Sequence, residues 1–88
     1  MQDTEHAGND KLQMLVLERR DKCLNMARFY VLAIESTLFD DVALVREWGR
    51  IGSRGRRRVD LFIDAGKAAE SLDVWLARKR RRGYREIA

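Results

Sequence analysis

The hydrophobic pattern of this chain changes its period once, near residue 64, and that change restricts the possible folds more than any other feature. Before it, apolar and polar residues alternate in short segments of the kind that form strands. After it, the residues of one helical stripe recur every three or four positions: Ala65, Ala68, Ala69, Leu72, Trp75, Leu76 and Lys79. The pattern predicts an α+β fold, a small antiparallel β-sheet with one long α-helix packed on it.

Several segments before residue 64 have the composition of strands. Gly52-Ser53-Arg54-Gly55 separates the last two as a flexible turn, so these two should form a hairpin. Asp64 suits the N-cap of the helix and Gly83 suits its C′ position. The predicted strands are Leu12–Arg19, Met26–Glu35, Val42–Ile51 and Arg56–Phe62. Alternation in the third strand places these residues on one face: Val42, Leu44, Arg46, Trp48 and Arg50.

The length of 88 residues predicts one domain that buries little surface and leaves little room for a catalytic cleft. The chain has no proline and no low-complexity linker, which argues against a second domain. The acidic start of the chain predicts a solvated, mobile tail. We therefore expect a flexible acidic tail over residues 1–11 and a single domain over residues 12–88.

The positive charge of the chain is concentrated more than its net value of +4 suggests. Two blocks hold most of the basic residues, and such blocks indicate a polyanion or an acidic protein as partner. The first block is Arg46, Arg50, Arg54, Arg56, Arg57 and Arg58; the second is Arg78, Lys79, Arg80, Arg81, Arg82 and Arg85.

The sequence shows no pattern typical of an enzyme or a metal site. His6 and Cys23 are each alone in their type, and Asp40-Asp41 form only a loop pair, so we predict neither catalysis nor a metal or cofactor. A single cysteine requires no oxidising compartment, and no segment has the pattern of a membrane span or a signal peptide. The cytoplasm is the expected compartment.

Trp48 has two interpretations. A large aromatic residue is often part of a small core. Strand alternation, however, puts Trp48 on the same face as Arg46 and Arg50, and a tryptophan buried between two unpaired guanidiniums would be costly. This favours an exposed ring that contacts a partner. Gly49 and Gly52 are predicted to serve the backbone, since no phosphate-loop pattern surrounds them.

The two basic blocks are also open to two interpretations. The arginines of the first block are either a solvated hairpin tip or contacts to phosphate, whose oxygens match the guanidinium fork. Alternation turns Arg57 away from Arg56 and Arg58, so they cannot share one role. The run Arg78–Arg82 either caps and solubilises the helix end or extends the basic surface. The aromatic residues Trp75, Tyr84, Phe29 and Phe62 are predicted to be core.

Three segments resemble the WGR domain family: Val45-Arg46-Glu47-Trp48-Gly49-Arg50-Ile51-Gly52, Asn25-Met26-Ala27-Arg28-Phe29-Tyr30 and Lys79-Arg80-Arg81-Arg82-Gly83-Tyr84. The resemblance spans residues 12–85. The family includes stand-alone bacterial members that resemble this chain closely, which implies a bacterial origin. It also marks Gly49, Gly52, Gly83 and Tyr84 as structural positions of the fold.

WGR domains are best known for contacting DNA ends in DNA-dependent poly(ADP-ribose) polymerases. There the motif's tryptophan packs on a sugar and its arginine bridges DNA to neighbouring domains, which implies these roles for Trp48 and Arg50. We expect no transferase or helical regulatory domain within these 88 residues for Arg50 to contact. The resemblance also favours phosphate contact by Arg54, Arg56, Arg57 and Arg58.

We therefore expect a non-enzymatic module that binds nucleic acid, most of all DNA, at its backbone or ends through a basic surface with an exposed Trp48. Alternatively, the same surface docks an acidic protein, or the chain regulates a polymerase or nuclease in trans. The sequence does not separate these alternatives, nor does it give the oligomeric state. An edge strand of so small a sheet is able to pair with a copy of itself.

Overall fold

Four long antiparallel strands form most of the sheet in the computed structural model, which describes residues 11–88. The predicted acidic tail, except Lys11, and His6 lie outside the described residues. The last long strand has the predicted bounds, and the other three differ from prediction by one or two residues at an end. The strands are β1, Lys11–Asp21; β2, Met26–Ser36; β3, Val42–Arg50; and β4, Arg56–Phe62.

The helix α1 covers Ala65–Arg81 and has the two predicted ends. The Asp64 carboxylate accepts a hydrogen bond from the Lys67 backbone N–H at 2.9 Å, as expected of an N-cap. At the other end, Gly83 has a φ of 97° and its N–H donates to the Arg80 carbonyl at 3.0 Å. The Tyr84 N–H reaches the Lys79 carbonyl at 3.0 Å, which completes a Schellman motif.

After the helix the chain returns to the sheet as β5, Arg85–Glu86, which pairs antiparallel with β1. The sheet order is therefore β4-β3-β2-β1-β5. The sequence did not predict β5 because two residues are too few to show a period. The architecture confirms the α+β prediction of a small antiparallel sheet with one long helix packed on it.

The helix packs on one face of the sheet, called here the helix face. Most of the buried side chains lie between the two, because the apolar positions of the strands and of the helical stripe point towards each other. This core consists of Leu17, Tyr30, Leu32, Ile34, Val42, Leu44, Ala68 and Leu72.

The opposite face of the sheet is called here the bare face, since no element within residues 11–88 packs on it. Its centre is a small second cluster of buried residues, Ala33, Ala43 and Val45. Their neighbours in the register, Met14, Val59 and Leu61, are exposed apolar residues. The small residues are buried by these larger neighbours rather than by a second layer.

Candidate nucleic-acid interface

The strand register places basic and aromatic residues in successive rows across the helix face. The row next to the β3–β4 hairpin contains Arg19, Arg28 and Arg50. The next row contains Leu17, Tyr30, Trp48 and Arg56, and the third contains Leu15, Leu32, Arg46 and Arg58. The hairpin half of the helix face is therefore basic and aromatic, while the other half holds the apolar core.

The side chain of Trp48 is half-buried. This degree of burial lies between the two interpretations of the sequence, a core residue and an exposed ring. Its indole packs against the edge of the core, and its ring centroid lies 5.9 Å from that of Tyr30. The rest of the ring remains accessible beside Arg56, its cross-strand neighbour. Trp48 therefore combines the two interpretations: one part of the ring is fixed by the core and another part is available for contact.

Arg46 has to be removed from the predicted contact residues, because its side chain is buried and only 8% of the residue is exposed. Its guanidinium stacks on Trp75 at 3.9 Å and lies 5.8 Å from the centroid of Trp48. One nitrogen donates to the Asp60 carboxylate at 3.4 Å. Burial next to Trp48 is tolerated because Arg46 is paired with Asp60, which the sequence argument did not foresee.

A basic cleft of about 420 Å³ lies along the last turns of α1, lined by Trp75, Arg78, Lys79, Arg81 and Arg82. Trp75 forms its aromatic wall, with the Arg78 guanidinium 4.8 Å from the ring centroid. Trp75 was predicted as core, and the structure shows it packed against the core with one side facing this cleft. The cleft adjoins the basic rows of the sheet, since Arg46 stacks on the inner side of the same ring.

Lys79 links the cleft to the aromatic residues of the sheet. Its Nζ lies 4.4 Å from the centroid of Tyr30 and 5.6 Å from that of Tyr84. Partial burial lowers the pKa of Lys79 from its ordinary value, and the nearby charges of Arg82, Arg46 and Arg78 lower it further. Burial likewise raises the pKa of Tyr30, against the opposing effect of Arg46. Lys79 thus carries its charge among other cations.

Most cations of this surface have no acidic partner within residues 11–88. Asp60 pairs with Arg46 and Arg58, and Glu86 pairs with Arg80. No ion pair within the described part of the chain neutralises the other basic side chains of the helix face and the cleft. These are Arg19, Arg28, Arg50, Arg56, Arg78, Lys79, Arg81 and Arg82.

The β3–β4 hairpin loop bends towards the bare face. A Cβ on Gly49 would lie 2.7 Å from the Gly55 Cα, and one on Gly55 would lie 2.4 Å from the Trp48 carbonyl oxygen. This close approach requires glycine at both positions. Ser53 fixes the loop by donating to the Arg50 carbonyl through its hydroxyl at 2.7 Å. Gly52, with a φ of 96°, makes the turn.

The structure separates the predicted arginines by face. Arg50 and Arg56 share the helix face with Trp48, and so does Arg58, which is also paired with Asp60. Arg57 points to the bare face, where it pairs with Glu47 at 3.3 Å. Arg54 is exposed in the hairpin loop, outside the rows of the sheet. The sequence argument that Arg57 differs from its two neighbours agrees with this register.

Sequence reasoning did not identify Arg19 and Arg28 as part of this surface. They belong to different strands, and only the register brings them beside Arg50. The helix cations were considered without a preference for function, and the signal that distinguishes them is their spacing around Trp75. Within residues 11–88, no group of three or more His, Cys, Asp or Glu residues is placed to hold a metal ion.

The sequence profile of the WGR domain matches residues 13–88, which is almost the whole described region.

The chain belongs to the WGR domain family. WGR domains are a nucleic-acid-binding class of domain, which agrees with the helix-face cations that have no acidic partner within residues 11–88. The matched region begins inside β1 and continues to residue 88, so it includes every residue of the candidate interface.

The chain is also similar to an uncharacterised protein of Sinorhizobium fredii, y4dW, with 45% identity over 71 residues. The aligned region is 81% of this chain but only 35% of that protein, so this chain spans about a third of the length of its relative. No solved structure matches the chain. Among the described residues, no helix is long and apolar enough to cross a membrane.

Proposed function

We propose that this WGR domain is a non-enzymatic module that binds DNA through its backbone, at or near an end. The observation that carries the proposal is a group of cations that have no acidic partner within residues 11–88 and lie around two accessible aromatic rings, Trp48 and Trp75. Cations that no neighbouring acid neutralises favour a polyanion, and guanidinium groups match phosphate oxygens in geometry. The contact surface is the basic half of the helix face together with the basic cleft.

The cations and the Trp48 ring of this surface supply different interactions. The arginines of the sheet and the cations of the cleft would hold phosphates without reading bases, since phosphate contacts position a duplex but carry no sequence information. The accessible part of Trp48 would cover a sugar or base that a DNA end leaves exposed, because flat rings stack on such groups. An end is therefore preferred to a continuous duplex in this proposal.

The preference for ends is tested with a blunt duplex and a closed dumbbell of equal length, in fluorescence anisotropy across a salt series. If about five phosphates are contacted, the logarithm of the binding constant should fall with the logarithm of salt with a slope near −4 to −5. The Trp48→Ala variant should lose the preference for the open end. Binding that does not depend on salt would contradict the phosphate mechanism.

Arg56 and Arg57 offer a matched pair of variants for the same assay. They are neighbours in β4, both exposed, but they point to opposite faces of the sheet. Arg56→Gln should weaken binding and reduce the salt slope by about one, whereas Arg57→Gln should leave both nearly unchanged. Equal effects of the two variants would show that only total charge matters and that the helix face is not the contact surface.

An acidic protein is the second candidate partner, and the aromatic and arginine residues of this surface support it as well, since both types dominate protein interfaces. The two functions are separated by co-purification in the presence of nuclease. A defined protein partner that survives nuclease treatment, together with DNA binding no tighter than that of an unrelated basic protein, would favour the second function.

A further inference from the structure

The outer edge of β4 is an unpaired strand edge within the described part of the chain. The sheet order places β4 at one end of the sheet, with β3 as its only described neighbour. The helix that follows β4 leads away from this edge, since its C-terminal Gly83 lies beside Arg19 of β1. The backbone N–H and C=O groups along one side of Arg56–Phe62 are therefore available to another strand.

We propose that β4 pairs antiparallel with β4 of a second copy of this chain, across a twofold axis at Val59. Such an axis is perpendicular to the sheet and keeps each side chain on its own face. An axis between two residues is excluded, because it would place a helix-face residue opposite a bare-face residue. The axis must therefore pass through one residue of β4.

Charge excludes Arg58 and Asp60, the two neighbours of Val59, as the position of the axis. With the axis at Arg58, that arginine would face its own copy, and with the axis at Asp60, two carboxylates would face each other. Like charges directly opposite each other destabilise a strand pair. With the axis at Val59, Arg58 lies opposite Asp60 of the second copy, twice by symmetry, and two valines face each other on the bare face.

The register at Val59 also pairs all seven residues of the strand. Arg57 then lies opposite Leu61 of the second copy, and Arg56 lies opposite Phe62, so no two arginines face each other.

The three consecutive arginines of β4 have a further effect in this arrangement. Charged residues on an edge strand normally prevent pairing with unrelated strands. Here they prevent every register that brings arginine against arginine but permit the one at Val59. The arginines therefore do not block all pairing at this edge, but they make it selective for β4 of a second copy. The two basic helix faces of the dimer would lie on the same side of one continuous sheet.

Complementary charges at the axis provide the first test. Val59 is 45% exposed, so Val59→Glu and Val59→Lys should both fold, and each should be monomeric because like charges meet at the axis. Mixed together, the two variants should form a one-to-one heterodimer in analytical ultracentrifugation and native mass spectrometry. Wild-type protein that remains monomeric up to about 1 mM, or a mixture that does not associate, would overturn the proposal.

A cysteine pair gives a second test that does not depend on repulsion. In a Cys23→Ser background, Val59→Cys should form an intermolecular disulfide on mild oxidation, because directly opposite Cα atoms lie about 4.5 to 5.5 Å apart. Leu61→Cys is the matched control on the same strand and face, and it is 62% exposed. Its copy would lie about 13 Å away along the ladder, so it should not cross-link. Equal cross-linking of both would overturn the register.

A third variant distinguishes edge pairing from stacking of two bare faces. Met14 lies on the bare face of β1, three strands away from the proposed axis, and is 47% exposed. Met14→Lys should leave the edge-paired dimer intact, whereas it would break a dimer that buries the bare face. Loss of the dimer in Met14→Lys would assign the contact to the bare face and reject the pairing of β4.

Discussion

The two faces of the sheet differ in how many of their arginines form ion pairs. On the bare face of the four long strands, Arg57 pairs with Glu47 and Arg20 pairs with Glu18, so these two arginines are neutralised locally. On the helix face, one acid, Asp60, serves two arginines, and the row of Arg19, Arg28 and Arg50 has no acidic member. Both faces belong to the same four long strands, and only one of them has the charge balance expected of a polyanion-binding surface.

The difference between the two faces also explains why the net charge alone does not indicate which partner this protein prefers. A value of +4 is modest, but the acids are not spread evenly over the described surface. The bare face and the end of α1 hold most of the described ion pairs, which leaves the helix face with excess positive charge. Partner preference therefore follows from the register of the strands rather than from composition.

The largest expected effect concerns Arg46, which connects the helix face to α1. Arg46→Ala would leave Asp60 without its buried partner and would remove the stacking on Trp75, so we expect the free energy of unfolding to fall by about 3 kcal/mol or more. The exposed pair on the other face provides the control, because Arg57→Ala should cost less than about 1 kcal/mol. Urea unfolding of both variants measures the difference.

If Arg46→Ala and Arg57→Ala were equally mild, the burial of Arg46 would not be essential to the helix face. If both were severe, the ion pairs of the bare face would be as important to the fold as those under the helix. Either result would show that the arginines of the two faces do not differ in how much they stabilise the fold.

A smaller effect is expected at Gly49, where the hairpin loop meets the bare face. A Cβ at this position would overlap the Gly55 backbone, so Gly49→Ala should destabilise the fold by about 1 to 3 kcal/mol. Gly66, in the first turn of α1, is the matched control because an added Cβ meets only the Asp64 carboxylate at 3.3 Å. Gly66→Ala should be neutral or slightly stabilising. Thermal unfolding compares the two, and a neutral Gly49→Ala would show that the loop is free to move.

A binding effect of intermediate size is expected at Lys79, which contributes the helix side of the surface. Lys79→Gln should weaken DNA binding by about 1 kcal/mol, or roughly fivefold, and reduce the salt slope by about one. Arg20→Gln, on the bare face, should change neither quantity. Anisotropy in a salt series checks both variants. If Lys79→Gln changed neither the DNA affinity nor the salt slope, the interface would be restricted to the sheet.

The smallest expected effect is the dependence of the free energy of unfolding on pH that Lys79 causes. Its pKa in the folded protein is lower than in the unfolded chain, so the unfolded chain binds more protons below the ordinary lysine value of 10.5. Stability should therefore rise with pH through the window between the lowered pKa and 10.5, and this rise should be absent in Lys79→Gln.

Carbon-13 NMR of the lysine Cε resonances checks the same group directly, and the titration that disappears in Lys79→Gln assigns it. Bound polyanion should raise the midpoint, since a phosphate offsets the neighbouring cations. A midpoint unaffected by DNA would place Lys79 outside the contact surface.

The fold was largely predictable from the sequence because its signals are local. Alternation in four segments, the change of period near residue 64, and the capping residues Asp64 and Gly83 all depend on neighbouring positions. The strand β5 escaped prediction because two residues carry no period, although its pairing with β1 completes the sheet.

The interface was less predictable because its members meet only through pairing and packing. Arg28 becomes a neighbour of Arg50 through the register of β2 and β3, and no spacing in the chain reveals it. Arg46 was misplaced for a related reason. Its sequence context shows an arginine on the face of Trp48, but its burial depends on Asp60 in β4 and on Trp75 in α1.

The hydrogen bonds that attach the residues after α1 to β1 have a consequence for recognition. The Ile87 N–H donates to the Val16 carbonyl and the Ala88 carbonyl accepts from the Val16 N–H, both at 2.8 Å. With the Schellman motif before them, these bonds hold the end of α1 at a fixed position over the sheet. The backbone that carries the cations of the basic cleft therefore keeps its place before any partner arrives, so little backbone entropy remains to be lost when a rigid polyanion binds.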